Sequence, residues 1–200
     1  MNPTLTRDAA ETLARSRGCT DKVMILGLRS ENSKYGFYDD TLALLTPDSY
    51  TEWKGNTLPS KWTPGIAKLI PGDYIYAKGL HGINHFDQMP INMASNLRAW
   101  LANHIGQDYQ PIDGYILPYW AFRQHGPVTL IRDGSDVPET VTDPARFPFI
   151  DLHHGGWNGT SSAGCQTWFP DHWAEARKMG YAAMDRYAQT TITYGLHQLL

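Results

Sequence analysis

Apolar and polar positions change period several times along the chain, and each change marks an element. Residues 6–17, TRDAAETLARSR, form a polar-ended pattern of helical length, with Gly18 placed to close it. VMILGL at 23–28 and TLALLT at 41–46 are short apolar runs of strand length, and the turn-rich SENSKYGFYDD lies between them. Residues 47–65 carry Pro, Gly and Asn with little periodicity, so a long ordered loop is expected there. Pro71-Gly72 opens a strand, DYIYAKGLHG. MASNLRAWLANHIG at 93–106 spaces its apolar residues three and four apart, as a helix does.

YILPYWAF, PVTLIRDG and FPFIDLHH then read as strands, the second ending in an Asp-Gly turn signal. Pro170-Asp171 starts a helix that runs on to residue 189, and TTITYGL follows as a strand. Within that helix Trp173, Arg177 and Tyr181 stand about one turn apart, a spacing that fits core packing with a snorkelling arginine. Strands outnumber helices in an irregular order. The fold class expected is mainly β or α+β, in one domain spanning 1–200 with a helical segment over 1–20.

Composition narrows the function classes. Hydrophobic residues at 42% and charged residues at 18%, with seven Trp and eleven Tyr, specify a folded globule and not a disordered tail. A formal charge of −3 supplies no basic field for phosphates, so nucleic acid is not an expected partner. No stretch approaches the ~18 apolar residues of a membrane span, and charges interrupt the N-terminal segment where a signal peptide needs an apolar run. Synthesis as a soluble cytosolic product without membrane insertion is expected. Cys19 and Cys165 are read as free thiols, because one disulfide is no framework for a fold of this size.

Candidate chemistry concentrates in residues 150–167, IDLHHGGWNGTSSAGCQT. On a strand Asp151 and His153 share one face, opposite Ile150 and Leu152, so His153 and His154 cannot both reach one ligand. That alternation weakens a zinc site, as does the lack of an HExxH or paired-Cys spacing. His81, His85, His153 and His154 could in principle assemble one with Asp87 or Asp151. The glycines at 155, 156, 159 and 164 allow a return loop that brings Cys165 back beside His153, twelve residues earlier.

Small residues around the thiol leave backbone N–H groups for a developing oxyanion, and a histidine that takes the thiol proton makes a nucleophile. The alternative at this level is an inert buried thiol beside a scaffold histidine. Trp157 fits equally a groove cover and a residue that packs the loop down. Tyr38, Asp39 and Asp40 fit a turn and cap.

The pieces Ile150-Asp151-Leu152-His153-His154-Gly155 and Ser162-Ala163-Gly164-Cys165 resemble the active-site motif of the L,D-transpeptidase (YkuD-like) catalytic domain. Thr-Ser-Ser-x-Gly-Cys-Gln-Thr, Tyr38-Asp39-Asp40 and Pro71-Gly72-Asp73-Tyr74 are similar to a branch in phage and prophage cell-wall proteins. The resemblance implies a β-sandwich or barrel with a few packed helices and a Cys acyl-enzyme on peptidoglycan stem peptides, with no cofactor and no metal. It implies Cys165 as nucleophile and His153 as its base, with Ser162, Ala163 and Gly164 shaping the thiol loop.

Many members of that family carry His at the position of Ala163, and Arg or Asn at that of Gln166. His81 and His154 are the candidate replacements for the missing contact, His154 disfavoured by its face. Hydrolysis in a phage-type cell-wall peptidase is the leading expectation, acting on the wall or periplasm after delivery by the phage. Transpeptidation and a non-catalytic wall-binding or virion structural module with a degenerate site are the alternatives, and a zinc peptidase using histidines alone is a third.

Overall fold

A computed structural model describes residues 2–199. Helix α1 (Arg7–Arg15) is followed by strands β1 (Met24–Arg29), β2 (Asp40–Leu45), β3 (Tyr50–Asn56), β4 (Ala67–Leu69) and β5 (Gly72–His81). A 3-10 turn over Ile83–Gln88 leads into α2 (Ile91–Asn103), then β6 (Tyr119–Gln124), β7 (Val128–Arg132) and β8 (Glu139–Val141). After β9 (Leu152–His154) and β10 (Gln166–Trp168), the chain forms α3 (Pro170–Arg186) and β11 (Thr191–Gln198). Eight strands close a barrel in the order β1-β11-β5-β6-β9-β10-β3-β2, and β4, β7 and β8 form a separate three-stranded sheet. The architecture is mainly β with a few helices, and a closed barrel stands where a sandwich was the other expectation.

Burial on two faces explains why β1 reads as an unbroken apolar run. Ile25 points into the main core with Leu42 and Leu44, while Met24, Leu26 and Leu28 meet Ala10 and Ala14 of α1 on the outside. Helix α1 starts where the Thr6 hydroxyl accepts from Ala9 N at 3.3 Å, and Gly18 beyond its end takes a positive φ of 81°. Helix α3, opened by Pro170 at its first turn, lays Trp173 and Tyr181 against Phe122, an edge-to-face arrangement in both pairs.

One end of the barrel is stapled by the buried Asp40. Its carboxylate accepts from Ser30 N at 2.9 Å, Thr57 N at 2.8 Å and Thr57 Oγ1 at 2.7 Å. The buried Arg29 guanidinium donates to the same Thr57 and to Leu69 O. Tyr38 does more than form a turn, since its hydroxyl donates to Gly156 O at 2.8 Å and ties the glycine loop to the β2 side of the barrel.

Two expectations change. The segment 47–65 is not all loop, because residues 50–56 pair with β2 over six positions and with β10. The run FPFIDLHH becomes regular strand only from Leu152, since Pro148 lacks an N–H and Phe149 takes φ 50°. Among the described residues no helix is long and apolar enough to cross a membrane.

Candidate active site

Four neighbouring barrel strands deliver the candidate residues to one place. His81 ends β5 and pairs directly with Tyr119, the first residue of β6; Leu152 of β9 pairs with Phe122 of β6 and with Gln166 of β10. Asp151 and Cys165 are the residues just before those last two partners, so they lie side by side. Ring nitrogens of His81 and His153 and the sulfur of Cys165 all fall within 4.8 Å of one another. His154 and His85 stay outside this trio; His154 turns its ring to Tyr119, with centroids 4.6 Å apart.

The thiol is held by weak contacts at a strained backbone. Asp151 N donates to Cys165 Sγ at 3.3 Å, and the thiol donates to Phe149 O at 3.7 Å. Phe149 and Ser161 are two of the three non-glycine residues with positive φ among the described residues, and they sit at the two approaches to Cys165. Such conformations cost about 1 kcal/mol or more and persist where surrounding contacts hold them. The Phe149 ring, 43% exposed, lies under the Arg123 guanidinium at 4.1 Å.

Asp151, fully buried, is the electrostatic centre. Its Oδ2 accepts from His81 Nδ1 at 3.0 Å and from Arg123 Nη1 at 3.2 Å, and its Oδ1 accepts from Gln124 N at 3.0 Å. A carboxylate can only accept from His81, so Nδ1 of His81 bears a proton. The same holds for His153, whose Nδ1 faces the carbonyl of His154 and also lies 3.0 Å from Tyr119 Oη. The two imidazoles stack at 4.0 Å with planes 22° apart.

These surroundings set the resting charges. Burial pushes the Cys165 thiol up to about 12, and the neighbouring Asp151 charge adds to it. Burial, with the adjacent His81 second, pushes His153 down to about 3. At neutral pH the cluster holds a protonated thiol, a neutral His153, and His81 joined to the carboxylate. Such a set can pass a proton from sulfur to an imidazole whose cationic form faces Asp151. It can also offer two nitrogens and a sulfur to a soft divalent metal.

Ser162, expected to shape the thiol loop, does so through its side chain. Ser162 Oγ donates to Cys165 O at 2.6 Å and accepts from Gly164 N at 3.0 Å. Gly164 N–H is therefore engaged and is not an oxyanion donor, which corrects that expectation. The N–H groups of Ala163 and Cys165 have no partner oxygen among the described residues. Gly164 itself is required, with φ 144° and only 2.8 Å from a would-be Cβ to Ala67 O.

Ser60 Oγ accepts from Ser162 N at 2.5 Å and meets Thr160 Oγ1 at 2.7 Å, binding the loop to the chain after β3. Gln166 is fully buried and bridges Gly164 O and Tyr194 Oη, which makes it a support. Trp157 is 66% exposed and stands edge-on to Phe169.

Sequence reading passed over Arg123 and Tyr119, and named Asp151 without giving it a hydrogen-bond partner. Alternation put Asp151 on the His153 face, but its partner is His81, across β6. The only signal was that GLHG and FPFIDLHH each carry polar residues at the end of an apolar run. No family model, curated protein or solved structure matches this chain.

Proposed function

We propose that the chain is a cysteine-dependent acyl-transfer enzyme that hydrolyses peptidoglycan stem peptides, built on a barrel of the L,D-transpeptidase type. The observation that carries the chemistry is the convergence of Cys165 with His81 and His153, backed by the buried Asp151. The motif resemblance over 150–167 directs it to stem peptides.

In this reading Sγ attacks the scissile carbonyl carbon while the S–H proton moves to His81 Nε2, so that the imidazolium forms against Asp151. The tetrahedral oxyanion faces the N–H groups of Cys165 and Ala163. Collapse breaks the C–N bond, and the leaving amine takes the proton from His81. Water then attacks the thioester, His81 takes one of its protons, and the carboxylic acid leaves as the thiol is restored. His81 serves as base in place of His153, because an imidazolium on His153 would be buried and stacked on His81 without its own carboxylate. His153 stacks on His81 and holds its plane.

Digestion of sacculi in ¹⁸O-water by wild-type and Cys165→Ala protein tests this. Muropeptides with one ¹⁸O in a new carboxyl, absent from the Cys165→Ala digest, support hydrolysis. Exchanged or cross-linked stems without ¹⁸O move the reading to transpeptidation. Absence of product on several wall chemotypes removes the enzyme.

One observation favours a second reading. Two imidazoles with Nδ1 anchored by a carboxylate and a carbonyl, plus a thiol, form a three-ligand set of the kind that holds zinc with one open position. In that case Cys165 is a ligand, and activity or thermal stability falls on chelation and returns with Zn²⁺. Insensitivity to chelator leaves the thiol mechanism.

A further inference from the structure

At the other end of β10 from Cys165 the barrel carries an aromatic surface that the acyl-transfer chemistry does not use. The Phe169 ring is its hub: Tyr38 and Trp157 each meet it edge-to-face, at 5.3 Å and 5.6 Å, and the Lys54 ammonium lies over it at 5.3 Å. A cleft of about 420 Å³ is bounded by these residues and completed by Phe37, Asp39 and Asn158. A second cleft, of about 560 Å³, is lined by Ser60, Thr160 and Ser161, and Trp157 borders both. Trp157 and Asn158, both exposed, stand at the tip of a two-residue turn closed by Gly156 N donating to Gly159 O at 2.9 Å. Tyr38 Oη donates to Gly156 O at 2.8 Å, so the tip is anchored to the barrel. An exposed indole there keeps apolar surface in water that a smaller residue would spare, and the anchoring lowers the ordering cost when a ligand covers it.

We propose that this surface binds a pyranose glycan strand, with one ring on the Trp157 indole and its neighbours in the two clefts. A pyranose offers an apolar C–H face and a rim of hydroxyls. The apolar face matches the indole and the exposed Phe37 ring, and the hydroxyls match Asn158, Lys54 and Asp39, which between them donate and accept. A polyanion is disfavoured by the Asp39 charge and by the net charge of −3. A docked peptide strand would need an open sheet edge, and β2, β3 and β10 beside the clefts are each paired on both sides.

The placement suits a substrate that carries sugar and peptide together. Cys165 and Phe169 flank β10, four positions apart in sequence, which is about 13 Å of extended chain and the span of an extended peptide of about four residues. The choice of a wall glycan rests on the stem-peptide reading, whereas the choice of a sugar rests on the clefts.

The test titrates a β-1,4-linked N-acetylglucosamine tetramer into full-length Cys165→Ala protein, following the ¹⁵N indole signal of Trp157, which a Trp157→Tyr variant identifies by its absence. A saturable shift of that signal is expected. Binding should be about tenfold weaker in Trp157→Ala, an exposed change that spares the fold, and nearly retained in Trp157→Tyr, which keeps an aromatic face. No shift, or affinity unchanged in Trp157→Ala, overturns the proposal. So does a dimer in sedimentation that Trp157→Ala dissolves, because a second copy then covers the face. Cleavage is measured in parallel with Cys165 intact, where Trp157→Ala should lower kcat/KM on sacculi more than on a sugar-free stem peptide. Cys165-dependent cleavage without tetramer binding rejects this inference alone, while tetramer binding without cleavage by wild type rejects the acyl-transfer reading and upholds this one.

Discussion

His81 and Asp151, seventy positions apart in the chain, are joined by a 3.0 Å hydrogen bond from Nδ1 to Oδ2. The same oxygen holds Arg123, so the carboxylate is fixed before any substrate arrives. Asp151→Asn keeps the shape but offers His81 Nδ1 an amide that can select the wrong tautomer. A fall in kcat on the order of 10³–10⁴ is expected, with little change in KM. His81→Ala is expected to lose more activity than His153→Ala, and rates of stem-peptide cleavage by the three proteins check this order.

Because Cys165 rests as a thiol raised to about 12, no standing thiolate is expected at neutral pH. Iodoacetamide should label Cys165 slowly at pH 7, and the rate should keep rising beyond pH 9, where an ordinary thiol of pKa about 8.5 has levelled off. Labelling that is already fast and flat at pH 6 would show a preformed ion pair instead. Mass spectrometry of the labelled peptides over a pH series reads the result and separates Cys165 from Cys19.

Acid should weaken the fold earlier than its carboxylates alone would require. His153 stays neutral down to about pH 3 in the folded chain, whereas an unfolded histidine takes a proton near pH 6.5. Between those values the unfolded state binds more protons, so this contribution is complete above about pH 6.5 and is lost as pH falls toward 3. The limiting slope is about 1.4 kcal/mol per pH unit. His197, lowered to about 4 by burial, acts in the same direction. Urea unfolding at pH 7.5, 6 and 5 should show the decline, and His153→Gln should flatten it.

The glycine loop makes a sharp packing prediction. A Cβ on Gly155 would sit 1.9 Å from Tyr38 Oη and 2.8 Å from Thr160 O. Gly155→Ala should cost about 1–3 kcal/mol of stability, and adding Tyr38→Ala should recover only part of it because the Thr160 carbonyl remains. A double-mutant cycle by thermal unfolding should return a coupling of about 0.5–3 kcal/mol between Gly155 and Tyr38.

Local signals carried much of the fold. The helical spacing near residues 7 and 93, the Pro170 start and the apolar runs at 24 and 191 all correspond to observed elements. Strand β3 escaped because YTEWKGN is polar and contains a glycine; pairing on both sides makes it a strand. Strand β10 is three residues long, too short for any period to show.

In the site, nearness of Cys165 to the end of β9 was legible from the glycines between them. The role of His81 was legible only as a candidate, since its meeting with Asp151 depends on how β5, β6 and β9 align. Ser162 was read as a shaper of the thiol loop and is one, although nothing in SSAGC says which way its hydroxyl turns.

Strand β11 follows every residue of the thiol cluster in sequence and lies between β1 and β5, so it is the stave that completes the barrel. Its parallel pairing with β1 spans nearly the whole chain, a contact of the kind that forms slowly. During synthesis the residues of the cluster leave the ribosome before the strand that locks their scaffold. A nascent chain therefore carries Cys165, His81 and His153 on a scaffold that stays open until β11 pairs with β1 and β5.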